Sequence, residues 1–72
     1  MRKEEVIKER GQVIETLRGL LFKVKLDSGR EILAYLGGKL KRHRIKVLPG
    51  EKVLVEFTLY DKERGRIVYR LK

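Results

Sequence analysis

Leu21-Phe22-Lys23-Val24-Lys25-Leu26-Asp27-Ser28-Gly29-Arg30-Glu31-Ile32-Leu33-Ala34-Tyr35-Leu36 decides the fold class of this 72-residue chain. Phe22, Val24 and Leu26 alternate with Leu21, Lys23 and Lys25; Ile32, Ala34 and Leu36 alternate with Glu31, Leu33 and Tyr35. A period of two sends successive side chains to opposite faces, which marks half-buried strands. Between the runs, Asp27-Ser28-Gly29-Arg30 supplies a tight turn, with Gly29 where a positive φ carries no steric penalty. Positions 20–36 therefore read as a β-hairpin.

The same period recurs on either side of the hairpin. Val53, Val55, Phe57 and Leu59 alternate with Lys52, Leu54, Glu56, Thr58 and Tyr60. After a turn over 61–65, Ile67, Tyr69 and Leu71 share one face and Arg66, Val68 and Arg70 the other. An earlier strand spans about 6–17 and contains Gly11, a residue that inside strands marks a bulge or a sharp bend. Of the gaps between these strands, only 37–50 is long enough for a helix. Gly37-Gly38 opens it and Leu48-Pro49-Gly50 closes it, so positions 39–43 have room for one short helical turn. The prediction is an all-β, five-stranded antiparallel Greek-key barrel of the OB-fold type, with a helical turn between strands 3 and 4. An SH3-like barrel is the competing architecture. Val24, Leu26, Ile32, Ala34, Val53, Val55, Phe57, Ile67 and Tyr69 are the predicted core, with Phe22 beside them. Tyr35 and Tyr60 fall on the opposite faces.

Composition bounds what such a barrel does. Hydrophobic residues are 42% of the chain, enough for one core but not two, so residues 1–72 read as a single domain. No apolar run approaches the ~20 residues of a membrane span, and no apolar stretch follows Met1-Arg2-Lys3-Glu4-Glu5 as a secretory signal requires. A cytosolic or organellar protein is expected. Cysteine is absent and His43 is the single histidine, so neither a disulfide framework nor a common zinc site is expected. Catalytic inventory is poor as well. Ser28, the one serine, is committed to the hairpin turn, and the carboxylates sit among basic residues as surface pairs do. Gly37-Gly38-Lys39 is like part of a phosphate loop, but Leu33 stands where the upstream glycine belongs and Leu40 where Ser or Thr must be. No enzyme activity and no cofactor are expected.

Charge is the informative quantity. Lysine and arginine number 19 against 10 acidic residues, a net +9. Positions 39–46 hold Lys39, Lys41, Arg42, Arg44 and Lys46 with no acid; positions 62–72 hold Lys62, Arg64, Arg66, Arg70 and Lys72 against Glu63 alone. These two segments carry the whole excess, because the other 53 positions hold nine basic and nine acidic residues. Solubility does not demand such segregation. A polyanionic partner does, since clustered cations release condensed counterions from phosphates. With Phe22, Phe57 and Tyr69 assigned to the core, few aromatics remain for stacking on single strands. Structured RNA, met through phosphate, groove and shape contacts, fits the sequence better.

Five segments carry a further signal. Two are Gly11-x-Val13-x-Glu15-Thr16-Leu17 and Leu21-Phe22-x-Val24-x-Leu26-x-x-Gly29. Three more are Gly38-Lys39-Leu40-Lys41-Arg42, Ile45-Lys46-Val47-Leu48-Pro49-Gly50-Glu51-Lys52-Val53 and Tyr60-Asp61-x-x-x-Gly65-Arg66-Ile67-Val68-Tyr69-Arg70. They cover almost the whole chain in order and without a gap, and together they resemble the motifs of the first bacterial translation initiation factor, a family of small OB-fold proteins. The chain departs from the family pattern at Arg18 and Leu59, where proline is usual, at Tyr35-Leu36-Gly37, which replaces His-Ile-Ser, and at Arg44, where an aromatic is frequent.

The resemblance implies a non-enzymatic S1-like domain that binds the decoding (A) site of the small ribosomal subunit. There it would block premature entry of elongator tRNA and stabilise the initiation complex with the second and third initiation factors. The implied RNA contacts are Lys39, Lys41, Arg42, His43, Arg44 and Lys46 of the basic loop with Arg64, Arg66 and Arg70 of the last strand. It also implies small-subunit RNA and other initiation factors as partners, a monomer when free, and a cytoplasmic or plastid-stromal location. Two other readings stay open: a general OB-fold RNA-binding or RNA-chaperone module, and a redesigned scaffold that keeps the fold without the function.

Overall fold

The computed structural model describes residues 6–43 and 46–71. Five strands, β1 (Val6–Leu17), β2 (Leu21–Leu26), β3 (Glu31–Leu36), β4 (Lys52–Thr58) and β5 (Asp61–Leu71), close into a barrel in the order β1-β2-β3-β5-β4. One short helix, α1 (Gly38–Arg42), lies between β3 and β4, as the breakers at each end of that segment predict. Four of the five pairings are antiparallel; the seam between β3 and β5 is parallel, a departure from the all-antiparallel expectation. The cause is topological. The chain leaves β3 through α1, returns along β4, and reaches β3's free edge only on the following strand, which then runs in β3's own direction.

The alternation read from the hairpin is realised. Phe22, Val24 and Leu26 face inward, as do Ile32, Ala34 and Leu36, and Gly29 has φ +102° in the connecting turn. Val53, Val55, Phe57 and Ile67 complete the predicted core, joined by Val13 and by Leu40 and Val47 from the segment between β3 and β4. Val55 is fully buried at the β4–β5 seam, so Val55→Ala costs on the order of 1–3 kcal/mol in a urea unfolding titration. That is a large share of the stability of so small a domain.

Two expectations are corrected. Of the bulge or sharp bend expected at Gly11, the bulge is absent: Gly11 pairs with Leu26 on one side and Val53 on the other, where β1 serves both neighbours at once. A Cβ there would stand 2.7 Å from Val24 Cγ1 and 2.9 Å from the Lys25 carbonyl oxygen, so the glycine answers to space. The irregularity in β1 falls between Val13 and Glu15 instead. The second correction is Tyr69, placed in the core by its spacing from Ile67 but 56% exposed. Val55 pairs with Ile67 and Leu54 with Tyr69, so Val68 is an extra residue on β5. A bulge of this kind breaks the period of two and turns the next side chain to the other face. Tyr69 therefore stands outside, opposite half-buried Leu54, while Arg70 comes opposite buried Val53.

Candidate nucleic-acid interface

The basic segment is built as a mounted loop. Leu40 on the inner side of α1 and Val47 beyond it are both buried, which leaves Lys39, Lys41, Arg42, His43 and Lys46 exposed between and beside these two anchors. Arg44 lies outside the described residues. α1 has no side-chain cap at its N-terminus; the Lys41 and His43 N–H groups donate to the Gly37 and Lys39 carbonyls at 2.9 and 3.1 Å.

The glycines at the two ends are fastened to the barrel. The Gly37 N–H donates to the Ile67 carbonyl at 2.9 Å, and the Gly50 N–H donates to the Val13 carbonyl at 2.7 Å. Val13 in turn donates to the Glu51 carbonyl at 2.9 Å, and Gln12 Nε2 to the Gly50 carbonyl at 3.0 Å. Held so, the two ends of the loop are fixed before binding, which lowers the ordering that binding must supply.

The arginines of β5 divide by task. Arg70 Nη1 donates to the Lys46 carbonyl at 2.7 Å, and its Nε lies 3.8 Å from Glu51 Oε1. That carboxylate oxygen is buried and has no hydrogen-bond partner among the described residues, so Arg70 acts on it as a nearby charge at ion-pair distance. The bulge at Val68 makes the brace possible, because it brings Arg70 to Val53's side of the strand. Arg66 Nη2 donates to Glu56 Oε1 at 2.8 Å. This hydrogen bond raises the guanidinium pKa above its ordinary value, against an opposing cost of desolvation. Arg64 is 72% exposed with Asp61 at 3.8 Å, a pair loose enough to yield to a phosphate. None of the described carboxylates lies within ion-pair distance of Lys39, Lys41, Arg42 or Lys46.

The predicted residues are thus brought together in part. Lys39, Gly37, Gly38 and Arg66 line one groove of about 310 Å³ beside α1, and Lys46 and Arg70 meet at the loop's exit. Arg64 stands further along β5, opposite Leu33. Lys8 was missed by sequence reasoning, since it sits in the charge-balanced part of the chain. Its pairing with Glu56 puts it in the same groove as Lys39 and Arg66, and only the β1–β4 register discloses that. Lys41 and Lys46 also edge an apolar cavity of about 500 Å³ lined by Leu17, Leu20, Phe22 and Leu48.

Comparison with known proteins bears on the family and the fold. The family described as Translation initiation factor 1A / IF-1 matches residues 1–72. The solution structure of the bacterial translation initiation factor of that family from the Wolbachia endosymbiont strain TRS of Brugia malayi is similar at 39% identity and a TM-score of 0.76, over 93% of this chain and 79% of that one. The crystal structure of YjeQ from Thermotoga maritima is similar at 25% identity and a TM-score of 0.71; the match covers 92% of this chain but 23% of that one.

Proposed function

The chain belongs to the translation initiation factor 1A / IF-1 family, and from that premise we propose that it occupies the decoding (A) site of the small ribosomal subunit. RNA binding and ribosome association follow from the family. In the proposed complex the basic loop enters the groove of a paired RNA segment, excludes elongator tRNA, and stabilises the initiation complex together with the second and third initiation factors. Lys39, Lys41, Arg42, His43, Arg44 and Lys46 supply the loop's contacts. Arg64 grips neighbouring backbone, Arg66 does so from its pair with Glu56, and Arg70 contributes chiefly by bracing Lys46.

One observation carries this reading: four described cations on a loop pinned to the barrel at both ends have no described carboxylate partner. A basic loop fastened at both ends, its described cations without a described carboxylate partner, fits shape-led recognition of structured RNA, where phosphate contacts position the protein. The role is positional and asks no covalent chemistry of the protein. Residues 1–72 act as one RNA-binding domain, monomeric when free, since a closed barrel offers no sheet edge for pairing. Among the described residues no helix is long and apolar enough to cross a membrane, and the proposed place of work is the cytoplasm or a plastid stroma.

Sedimentation with small subunits at low salt tests the proposal when joined to a chemical footprint. Co-pelleting with protection confined to the decoding-site helix is the expected result. A diffuse footprint, or equal affinity for unrelated structured RNAs, would instead identify a general RNA-binding module. Failure to co-pellet would identify a scaffold without the function.

A further inference from the structure

We propose that the outer face of the β3–β5 seam is a second RNA site, where Tyr35 and Tyr69 stack unpaired bases of a single strand on either side of Arg66. Tyr35 is 50% exposed and Tyr69 56% exposed, in a domain whose small core would gain from burying either ring. Tyr35 pairs with Arg66 across the parallel seam, and Tyr69 follows Arg66 on β5 with Ile67 and the bulge residue Val68 between them. Both rings therefore share the outer face with Arg66. Arg66 lines two grooves at once: one contains Tyr35 and Arg64, the other Tyr69, Lys39 and Lys8. From strand geometry the Cα atoms of the two tyrosines stand roughly 8–9 Å apart, so neighbouring bases of an extended strand reach both rings.

The chemistry matches an unpaired strand of RNA more closely than a duplex. Stacking needs splayed-out bases, and duplex RNA keeps its base faces covered. Arg64, Lys39 and Lys8 at the groove edges supply the cations that track the backbone. Arg66, its guanidinium edge bonded to Glu56 and its side chain 48% exposed, presents a planar face between the rings. The bulge at Val68 is the device that builds the site: with regular alternation Tyr69 would point into the barrel, and the face would hold one ring. Bulges are used in this way to re-aim a side chain next to a functional site.

The site shares Lys39, Arg64 and Arg66 with the proposed ribosomal interface. Stacking on the two rings does not depend on the ribosomal role, and its test contains no ribosome. Fluorescently labelled oligouridylate of about ten nucleotides, which has little structure of its own, is titrated at low salt alongside a hairpin RNA of equal length. The hairpin, which the basic loop can bind, serves as the control. Wild type binds oligouridylate and loses tyrosine emission on binding, a signal left clean by the absence of tryptophan. Tyr35→Leu and Tyr69→Leu each weaken that binding about 5- to 50-fold with no change in its salt slope. Tyr35→Phe and Tyr69→Phe keep it within about twofold, because the ring and not the hydroxyl carries the contact. Both residues are exposed, so the thermal midpoint of each variant stays near that of wild type. Leucine variants that bind oligouridylate as wild type does, leucine variants that lose hairpin binding to the same extent, or no detectable binding of oligouridylate by wild type would each overturn the proposal.

Discussion

Raising salt from about 50 to 200 mM lowers the affinity of this protein for small ribosomal subunits roughly 100- to 500-fold. The figure follows from about five phosphate contacts, each adding roughly 0.7–0.9 to the log–log slope, for a total near −3.5 to −4.5. In the proposed complex these are the cations that described carboxylates neutralise least. Lys39, Lys41, Arg42 and Lys46 have no described carboxylate partner, and Arg64 is held only loosely by Asp61. Arg42→Ala therefore weakens binding and flattens the slope by about one unit at most. Arg66→Ala has a different signature, because it also strips Glu56 of its 2.8 Å partner and leaves an unpaired negative charge beside the RNA. Arg70→Ala weakens binding by more than its charge explains, since it frees the Lys46 carbonyl and loosens the loop. Lys23→Ala, on β2 and outside both basic clusters, changes little. Titrating labelled protein against small subunits across salt separates these cases. Equal losses for Arg42→Ala, Arg66→Ala and Lys23→Ala would mean a diffuse electrostatic film and would remove the decoding-site reading.

Gly65→Ala destabilises the barrel by about 2–3 kcal/mol, a fall in thermal midpoint of roughly 10–20 °C for a domain this size. Gly65 is buried on β5, and a Cβ there would stand 2.7 Å from Val55 Cγ1, 3.0 Å from the Glu56 carbonyl oxygen and 3.2 Å from Ile32 Cδ1. Two of these neighbours are core side chains from different strands, and the third is ladder backbone. None gives way without opening the β4–β5 seam or displacing Ile32. The same substitution at Gly38 works in the opposite direction. Gly38 begins α1, a Cβ there meets nothing within 4 Å, and its φ is not positive. Gly38→Ala stabilises by up to about 1 kcal/mol by narrowing the unfolded ensemble. Thermal unfolding followed by circular dichroism reads both. A Gly65→Ala midpoint within about 2 °C of wild type would contradict the packing described for the seam.

Most of the fold was legible because a strand's inward face is a local property. Phe22-x-Val24-x-Leu26 and Val53-x-Val55-x-Phe57 state their own period, and Gly29 its own turn. The place of the excess charge was legible for the same reason, since it is a count along the chain. Leu40 and Val47 were harder to see: each is one apolar residue in a basic stretch, without a periodic neighbour to announce a buried face. Yet both are buried, and they anchor the loop.

The sequence by itself determined five strands, one helical turn in one gap, a single core and two cationic segments, because periodicity, breakers and charge are all written in nearest neighbours. Only the tertiary structure decided which of those cations stand free and which side Tyr69 faces. Arg66 meets Glu56, Lys8 joins the groove of Lys39, and Val68 becomes the extra residue, through pairings between strands distant in sequence. A register shift is a relation between two strands, so neither strand alone carries it. One residue of shift at Val68 turns Tyr69 out of the core and brings Arg70 to the base of the loop.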